Sequence, residues 1–324
     1  MEKIYNKHSS FFLGFSFFFG IALNFLFSFL YGYNYENHLA ENSLIIFICF
    51  FLILSIGISH GALDNLKGNK VLKIYKIKEK YLFYIIYILV ASIVIFLWIL
   101  FPSFTLVIFL LLASYHFGKE DTCSFSGEEI EIKKSKMDEF FLLIKGSLII
   151  LAPLVFHLDA TLKIFETLYI NEQVISFLKN NSWFIKIFFG ISVLSNFYFF
   201  SERMGGVNYH SIFDVASILW LNWSLPPLIA FTLYFCFLHS IRHSISLINI
   251  LDKKNFVRGT KTFIKKALPL TMITGILYLI AIFFLTNSYS LDSAILKVIF
   301  IGLASLTFPH ILLEYLIEKN EKRT

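Results

Sequence analysis

The chain has 324 residues, of which 57% are hydrophobic and only 15% charged; mean hydropathy is +0.72 and phenylalanine alone occurs 40 times. Length by itself would allow two soluble domains, but a soluble interior cannot hide so much apolar surface, and disordered chains are apolar-poor and charge-rich. The net charge of +6 falls in short segments between apolar runs, which suits loops facing anionic lipid and not a nucleic-acid surface.

The composition therefore predicts an all-α, polytopic transmembrane helix bundle, read as a single integral-membrane domain over 1–324. Lys3 and Lys7 precede a first apolar run, 10–31. It is longer than a signal-peptide core and lacks a small-x-small cleavage site, so it is kept as a helix. Nine further spans are expected at 43–64, 81–101, 103–119, 138–157, 183–201, 211–224, 226–249, 264–286 and 291–316. The spans 103–119 and 211–224 are short enough to be tilted or re-entrant. Segment 158–182 mixes apolar and charged residues and suits the interface. Pro102 and Pro226-Pro227 mark tight turns. Lysine and arginine collect after the even-numbered spans, at Lys67–Lys80, Lys119–Lys136, Arg203, Lys253–Lys266 and Lys319–Arg323. The links after spans one, three, seven and nine contain none; Lys163 and Lys179 blur the rule in the longer link. About ten spans (eight to ten), with both termini cytoplasmic, is the simplest layout. Cys49, Cys123 and Cys236 form no close pair, so neither a disulfide framework nor a thiolate metal site is expected.

Ionisable groups inside spans are costly and mark function by default. His8, His38, His157 and His210 fall near span ends or links and read as interfacial. His60, His116, His239, His243 and His310 all lie on even-numbered spans, 13 to 18 residues past the outer end. At 1.5 Å per residue that is about 20–27 Å deep, one layer in the cytoplasmic half. His239 and His243 are four apart, so their rings share a helix face. With His60 and His116 at matching depth, a metal site is the leading expectation; a hydrogen-bonded polar cluster and a proton relay are the alternatives. Asp64, Glu120 and Glu314 each follow a histidine by four residues, and Asp121 follows Glu120. These carboxylates could orient the imidazoles, coordinate directly, or mark the membrane boundary by pairing with loop lysines. Arg242 would be a natural ionic partner for Asp64 or Asp121. Gly61 and Gly118, beside the histidines, would permit close helix contact. Lys145, inside a cytoplasmic end, is expected to snorkel.

Four segments then fall into a pattern. Ile58-Ser59-His60-Gly61-Ala62-Leu63-Asp64, Tyr115-His116-Phe117-Gly118-Lys119-Glu120-Asp121, Phe237-Leu238-His239-Ser240-Ile241-Arg242-His243 and Phe308-Pro309-His310 resemble, in order, the motifs of the Brp/Blh family of bacterial and archaeal membrane β-carotene 15,15′-dioxygenases. The resemblance covers essentially the whole chain; Ser59 stands where proline is usual in the family. It implies a non-haem Fe(2+) enzyme that uses O2 to cleave the central 15,15′ double bond of β-carotene, giving two all-trans-retinals. It carries the family's ligands onto His60, His116, His239 and His243, with His310 as a fifth ligand, an outer donor or a pocket wall. It also implies a functional link to a retinal-binding rhodopsin. The rival readings are another iron–oxygen enzyme acting on lipid, a carotenoid-binding protein, and a proton-coupled transporter using the His/Asp/Glu cluster. Di-iron membrane enzymes need denser histidine boxes than these, and a transporter needs polar residues continuing to the outer face, where these spans are almost wholly apolar.

Overall fold

A computed structural model describes residues 2–32, 42–126, 136–203 and 209–321; within these, the side chains of residues 2, 60, 123–126, 136–138, 198–203, 209 and 321 lie outside the description, as does His38. All regular elements among the described residues are helical. They are α1 (Glu2–Tyr31), α2 (Ser43–Leu52), α3 (Asp64–Ile74), α4 (Tyr81–Leu100), α5 (Pro102–Ser126), α6 (Lys136–Gly146), α7 (Leu148–Phe156) and α8 (Leu158–Thr167). Then follow α9 (Glu172–Asn180), α10 (Ser182–Arg203), α11 (Tyr209–Ser224), α12 (Pro227–Leu233), α13 (Ile241–Leu251), α14 (Phe256–Leu285) and α15 (Leu291–Glu321). Two π turns and a 3-10 turn join α2 to α3 and α12 to α13.

Seven helical stretches among the described residues are long and apolar enough to cross a membrane: Lys3–Tyr31, Ser43–Ile74, Tyr81–Leu100, Glu139–Phe156, Pro227–Leu251, Phe256–Leu285 and Leu291–Asn320. The other three expected spans are helices too. Of the two foreseen as short, 103–119 runs 25 residues as α5, about 37 Å at 1.5 Å per residue; its final turns carry Lys119, Glu120 and Asp121 and are poorer in apolar residues. Expected span 211–224 forms α11, whose 16 residues reach only about 24 Å. Pro102 opens α5 and Pro227 opens α12, each where a missing N–H costs no helical bond. The mixed segment 158–182 folds into α8 and α9, two short helices with strongly one-sided apolar faces.

The outward surface is apolar: Phe29, Phe25 and Phe283 are at least 70% exposed, and many other apolar side chains along α1, α4, α10 and α14 are exposed to a lesser degree. That is the inverse of a soluble fold and is what a lipid-facing wall requires. Inside, small residues let backbones meet. A Cβ at Gly118 would lie 1.9 Å from the Leu142 carbonyl oxygen, and one at Gly146 would lie 1.9 Å from that of Ser114, so α5 and α6 touch through two glycines. Gly61 is not such a position, since its nearest neighbour is Asp64 Oδ2 at 3.8 Å. Gly20 of α1 is roofed by Trp220 of α11, and Asn24 Nδ2 donates to the Ser224 carbonyl at 2.8 Å. At the end of the bundle away from the histidines, Trp98 Nε1 donates to the Leu168 carbonyl and the Lys297 ammonium sits 3.6 Å over the Tyr169 ring. These contacts hold the α8–α9 segment against α4 and α15.

The glycine contact generates a test. Gly118→Val forces α5 from α6 and should destabilise by about 1–3 kcal/mol or more, read as a thermal midpoint several degrees lower in detergent. Gly14→Ala, with nothing within 4 Å, should leave the midpoint unchanged.

Candidate metal centre

Helix irregularities place the histidines. The second membrane helix leaves α geometry for one π turn, Ile53–Gly57, then tightens into a 3-10 stretch, Ile58–Leu63, which carries His60. The helix begun at Pro227 makes a π turn at Tyr234–Ser240, which carries His239, and continues as α13 with His243. On a regular α-helix residues five apart point about 140° away from each other. Bonding i→i+5 brings Tyr234 and His239 toward one side. The two π turns pack together: Ser240 Oγ donates to the Gly57 carbonyl at 3.1 Å, and a Cβ at Gly57 would come within 2.6 Å of the Phe235 ring. His310 follows Pro309 in the interior of α15, where the missing N–H leaves the Ser305 carbonyl outside the helical ladder.

Four imidazoles, from α5, the second π turn, α13 and α15, meet in one buried layer. Ring centroids of His116 and His239 are 5.2 Å apart, those of His116 and His310 5.1 Å, and those of His243 and His310 5.8 Å. Each of the four residues is at most 5% exposed. His60, one of the four ligands that the resemblance names, sits by backbone on the adjoining 3-10 stretch, and its side chain is outside the described residues.

Each of these four imidazoles has a carboxylate on its Nδ1 side, and each carboxylate comes from another helix. His243 Nδ1 is 2.8 Å from Glu120, and His310 Nδ1 is 2.8 Å and 2.9 Å from the two oxygens of Asp64. His116 Nδ1 stands 3.6 Å from Glu314, and His239 Nδ1 3.5 Å from Asp121. An ionised carboxylate only accepts, so the closest pairs put the proton on Nδ1 and the lone pair on Nε2. Sequence spacing suggested partners one turn along the same helix. The contact between His310 Nε2 and Glu314 at 3.5 Å keeps that spacing, but the shortest bonds cross between helices because facing side chains lie nearer than successive turns.

The carboxylates are held in turn. Tyr234 donates to Asp121 at 2.8 Å and Tyr87 to Asp64 at 3.1 Å. Lys67 donates to Glu314 at 2.8 Å, while Lys119 pairs with Glu318 and reaches Glu314 at 4.0 Å. Glu314 thus both faces an imidazole and pairs with loop-proximal lysines, two roles that spacing had offered as alternatives. Arg242, foreseen as a partner for Asp64 or Asp121, forks with both Nη atoms onto Asp214 of α11 at 2.7 Å and also donates to Ser9 of α1. Lys145 does not snorkel: it is buried and donates to Thr122 at 2.5 Å. Reading the sequence missed Asp214, although an acid inside an apolar span was itself a signal. Tyr87 and Tyr234 carried none, being two of 16 tyrosines.

The donor set suits a cation. Ligating atoms of His116, His310 and Glu314 all lie within 4.8 Å of one another. Ligands about 2.1 Å from an ion stand at most about 4.2 Å apart, so a small inward movement closes these three on one ion. Imidazole with carboxylate is a donor combination for iron, zinc and similar divalent metals. Phe117, Tyr234 and Phe235 surround His239 at centroid distances of 4.8, 6.3 and 5.9 Å, giving the layer an aromatic wall. Beside it, a cavity of about 30 Å³ between His116, Lys119, Glu314 and Glu318 has room for roughly one water.

A helical bundle with apolar outer walls and an internal layer of carboxylate-backed imidazoles fits a class: multi-pass membrane proteins with a histidine-rich site able to hold a metal. Comparison narrows it. A family profile described as β-carotene 15,15′-dioxygenase matches residues 51–318. The chain is 29% identical over 283 residues to the β-carotene 15,15′-dioxygenase of uncultured marine bacterium 66A03, covering 84% of this chain and 94% of that protein. No solved structure matches it. The chain belongs to the β-carotene 15,15′-dioxygenase family.

The buried ion pair behind the histidines is testable. Asp214→Ala leaves the Arg242 guanidinium without its carboxylate and should cost about 3–5 kcal/mol, read as a lowered unfolding midpoint. A paired Asp214→Leu, Arg242→Met variant should recover most of that loss; no recovery would show that the pair is not the source of the effect.

Proposed function

We propose that the chain is a non-haem iron(II) enzyme that cleaves the central 15,15′ double bond of β-carotene with O2, giving two molecules of all-trans-retinal. The observation that carries this reading is the layer of buried imidazoles, each backed by a carboxylate, in a chain that matches the family over 51–318. His60, His116, His239 and His243 would hold the iron, and bound there it would supply O2 activation.

The chain's own residues would do the rest. Glu120 and Asp121 fix the rotation of His243 and His239, and Glu314 that of His116, so that the same ring edge faces the centre. Phe117, Tyr234 and Phe235 shield the layer from water and offer ring faces to a polyene on which positive charge develops. A rigid apolar substrate entering from lipid is then cut at the one bond held beside the layer, which is catalysis by positioning. We take α5, α10 and α11 as spans alongside the seven apolar stretches, giving ten crossings of the inner membrane with both termini cytoplasmic. A retinal product would suit a rhodopsin as its consumer.

Cells that accumulate β-carotene test this directly. Expression should bleach the orange colour with retinal appearing in extracts, and His116→Ala, His239→Ala or His243→Ala should abolish both at equal protein level. Carotene unchanged beside well-expressed protein would overturn the proposal. Glu120→Ala should weaken metal binding by about 10–100-fold, measured as the iron retained by purified protein against a graded chelator.

A further inference from the structure

We infer that His310 is itself a ligand of the metal, aimed by a relay through Asp64 and Tyr87, an inference that rests on reading the layer as a metal centre. Three observations converge on it. The first is position. The His310 ring lies edge-on between two others, 5.1 Å and 87° from His116 and 5.8 Å and 72° from His243. Rings bound through one nitrogen at about 2.1 Å hold their centroids about 3.2 Å from the ion, so ligands 90–130° apart have centroids about 4.5–6 Å apart. Both spacings fall in that interval. A ring placed outside the ligand sphere would not need to keep it toward two histidines from different helices.

The second is donor proximity: ligating atoms of His310, His116 and Glu314 lie within 4.8 Å of one another. Of the three, Glu314 has a competing engagement, with Oε1 receiving Lys67 at 2.8 Å. The two imidazoles are the better ligands, and Glu314 serves as the backing carboxylate of His116.

The third is orientation. Both oxygens of Asp64 accept from His310 Nδ1, at 2.9 and 2.8 Å, which assigns the proton to Nδ1 and the lone pair to Nε2. That is how a metal-bound histidine is commonly held, and it repeats the His243–Glu120 arrangement. Asp64 is 4% exposed and is fixed by the Tyr87 hydroxyl, 3.1 Å from Oδ2 and 3.2 Å from the Leu306 carbonyl. Leu306 is one turn before His310, so Tyr87 of α4 ties the carboxylate of α3 to the same stretch of α15 that carries the ring. Tyr87 is thereby a positioning residue for His310.

Purified protein loaded with cobalt(II) tests this without carotene turnover, because the visible bands of cobalt report its coordination. Wild type should bind one ion. His310→Gly should lose at least 100-fold in cobalt affinity with altered bands, and free imidazole should restore both, since it replaces a ligand but not a packing contact. Tyr87→Phe should keep the coordination bands and lose about 10-fold in affinity; it and His310→Gln serve if the glycine variant misfolds, with His310→Gln expected to shift the bands. Wild-type affinity and bands in His310→Gly or His310→Gln would overturn the inference while leaving a metal centre in place. Wild type that binds no cobalt or iron would instead overturn the proposed function, and the inference with it.

Discussion

An imidazole held through Nδ1 by a carboxylate from a neighbouring helix is the interaction on which this bundle turns. In an apolar interior neither partner tolerates isolation, because an unpaired carboxylate there loses its hydration with nothing in return. Every pair therefore fixes the approach of two helices as well as the angle of one ring. His310 with Asp64 joins α15 to α3, and His116 with Glu314 joins α5 to α15. His243 with Glu120 and His239 with Asp121 join α5 to α13 and to the π turn before it. α5 takes part in three of the four, and the centre and the helix packing around it are one set of contacts.

That coupling explains the irregular helices. A regular helix through 227–251 cannot turn both Tyr234 and His239 onto Asp121; a π turn can. The bulge needs room, and Gly57 supplies it on the opposing π turn, where any side chain would collide with Phe235. Closeness elsewhere follows the same logic. Gly118 lies between His116 and Glu120 in sequence, and its contact with Gly146 presses α5 against α6 at the level of the histidines.

Much of this was legible in the sequence, for physical reasons that differ by residue. The apolar runs had to be helices because lipid leaves a chain segment no other way to satisfy its backbone. Histidines 60, 116, 239, 243 and 310 stood out because imidazoles are rare at that depth, and counting residues from the outer end placed them in one layer. What spacing could not give was partnership. Asp64, Glu120 and Glu314 each sit four residues beyond a histidine, a relation within a helix, whereas their shortest bonds depend on which helices face each other. The direct partner of Arg242 was hidden for the same reason: Asp214 is near it only after α1, α11 and α13 have packed. The break that separates α6 from α7 falls at Gly146-Ser147, a pair at which helices bend, inside a run that read as one span, 138–157.

Charge gives the arrangement its direction. Four carboxylates, Asp64, Glu120, Asp121 and Glu314, face the described rings. Lys67 and Lys119 reach Glu314, with Lys119 also engaged by Glu318 nearer the surface. Asp64 and Asp121 receive phenol hydroxyls, which stabilise a carboxylate without cancelling its charge. With the imidazoles neutral, the groups touching the rings carry more negative than positive charge in a medium where such an excess is expensive. Protonating the rings would balance it, but would also remove the Nε2 lone pairs that the carboxylates orient. A divalent cation at the centre would balance the charge and use those lone pairs at once. The aromatic wall of Phe117, Tyr234 and Phe235 would then matter by excluding water, which would strengthen the hold of the carboxylate-backed rings on such an ion.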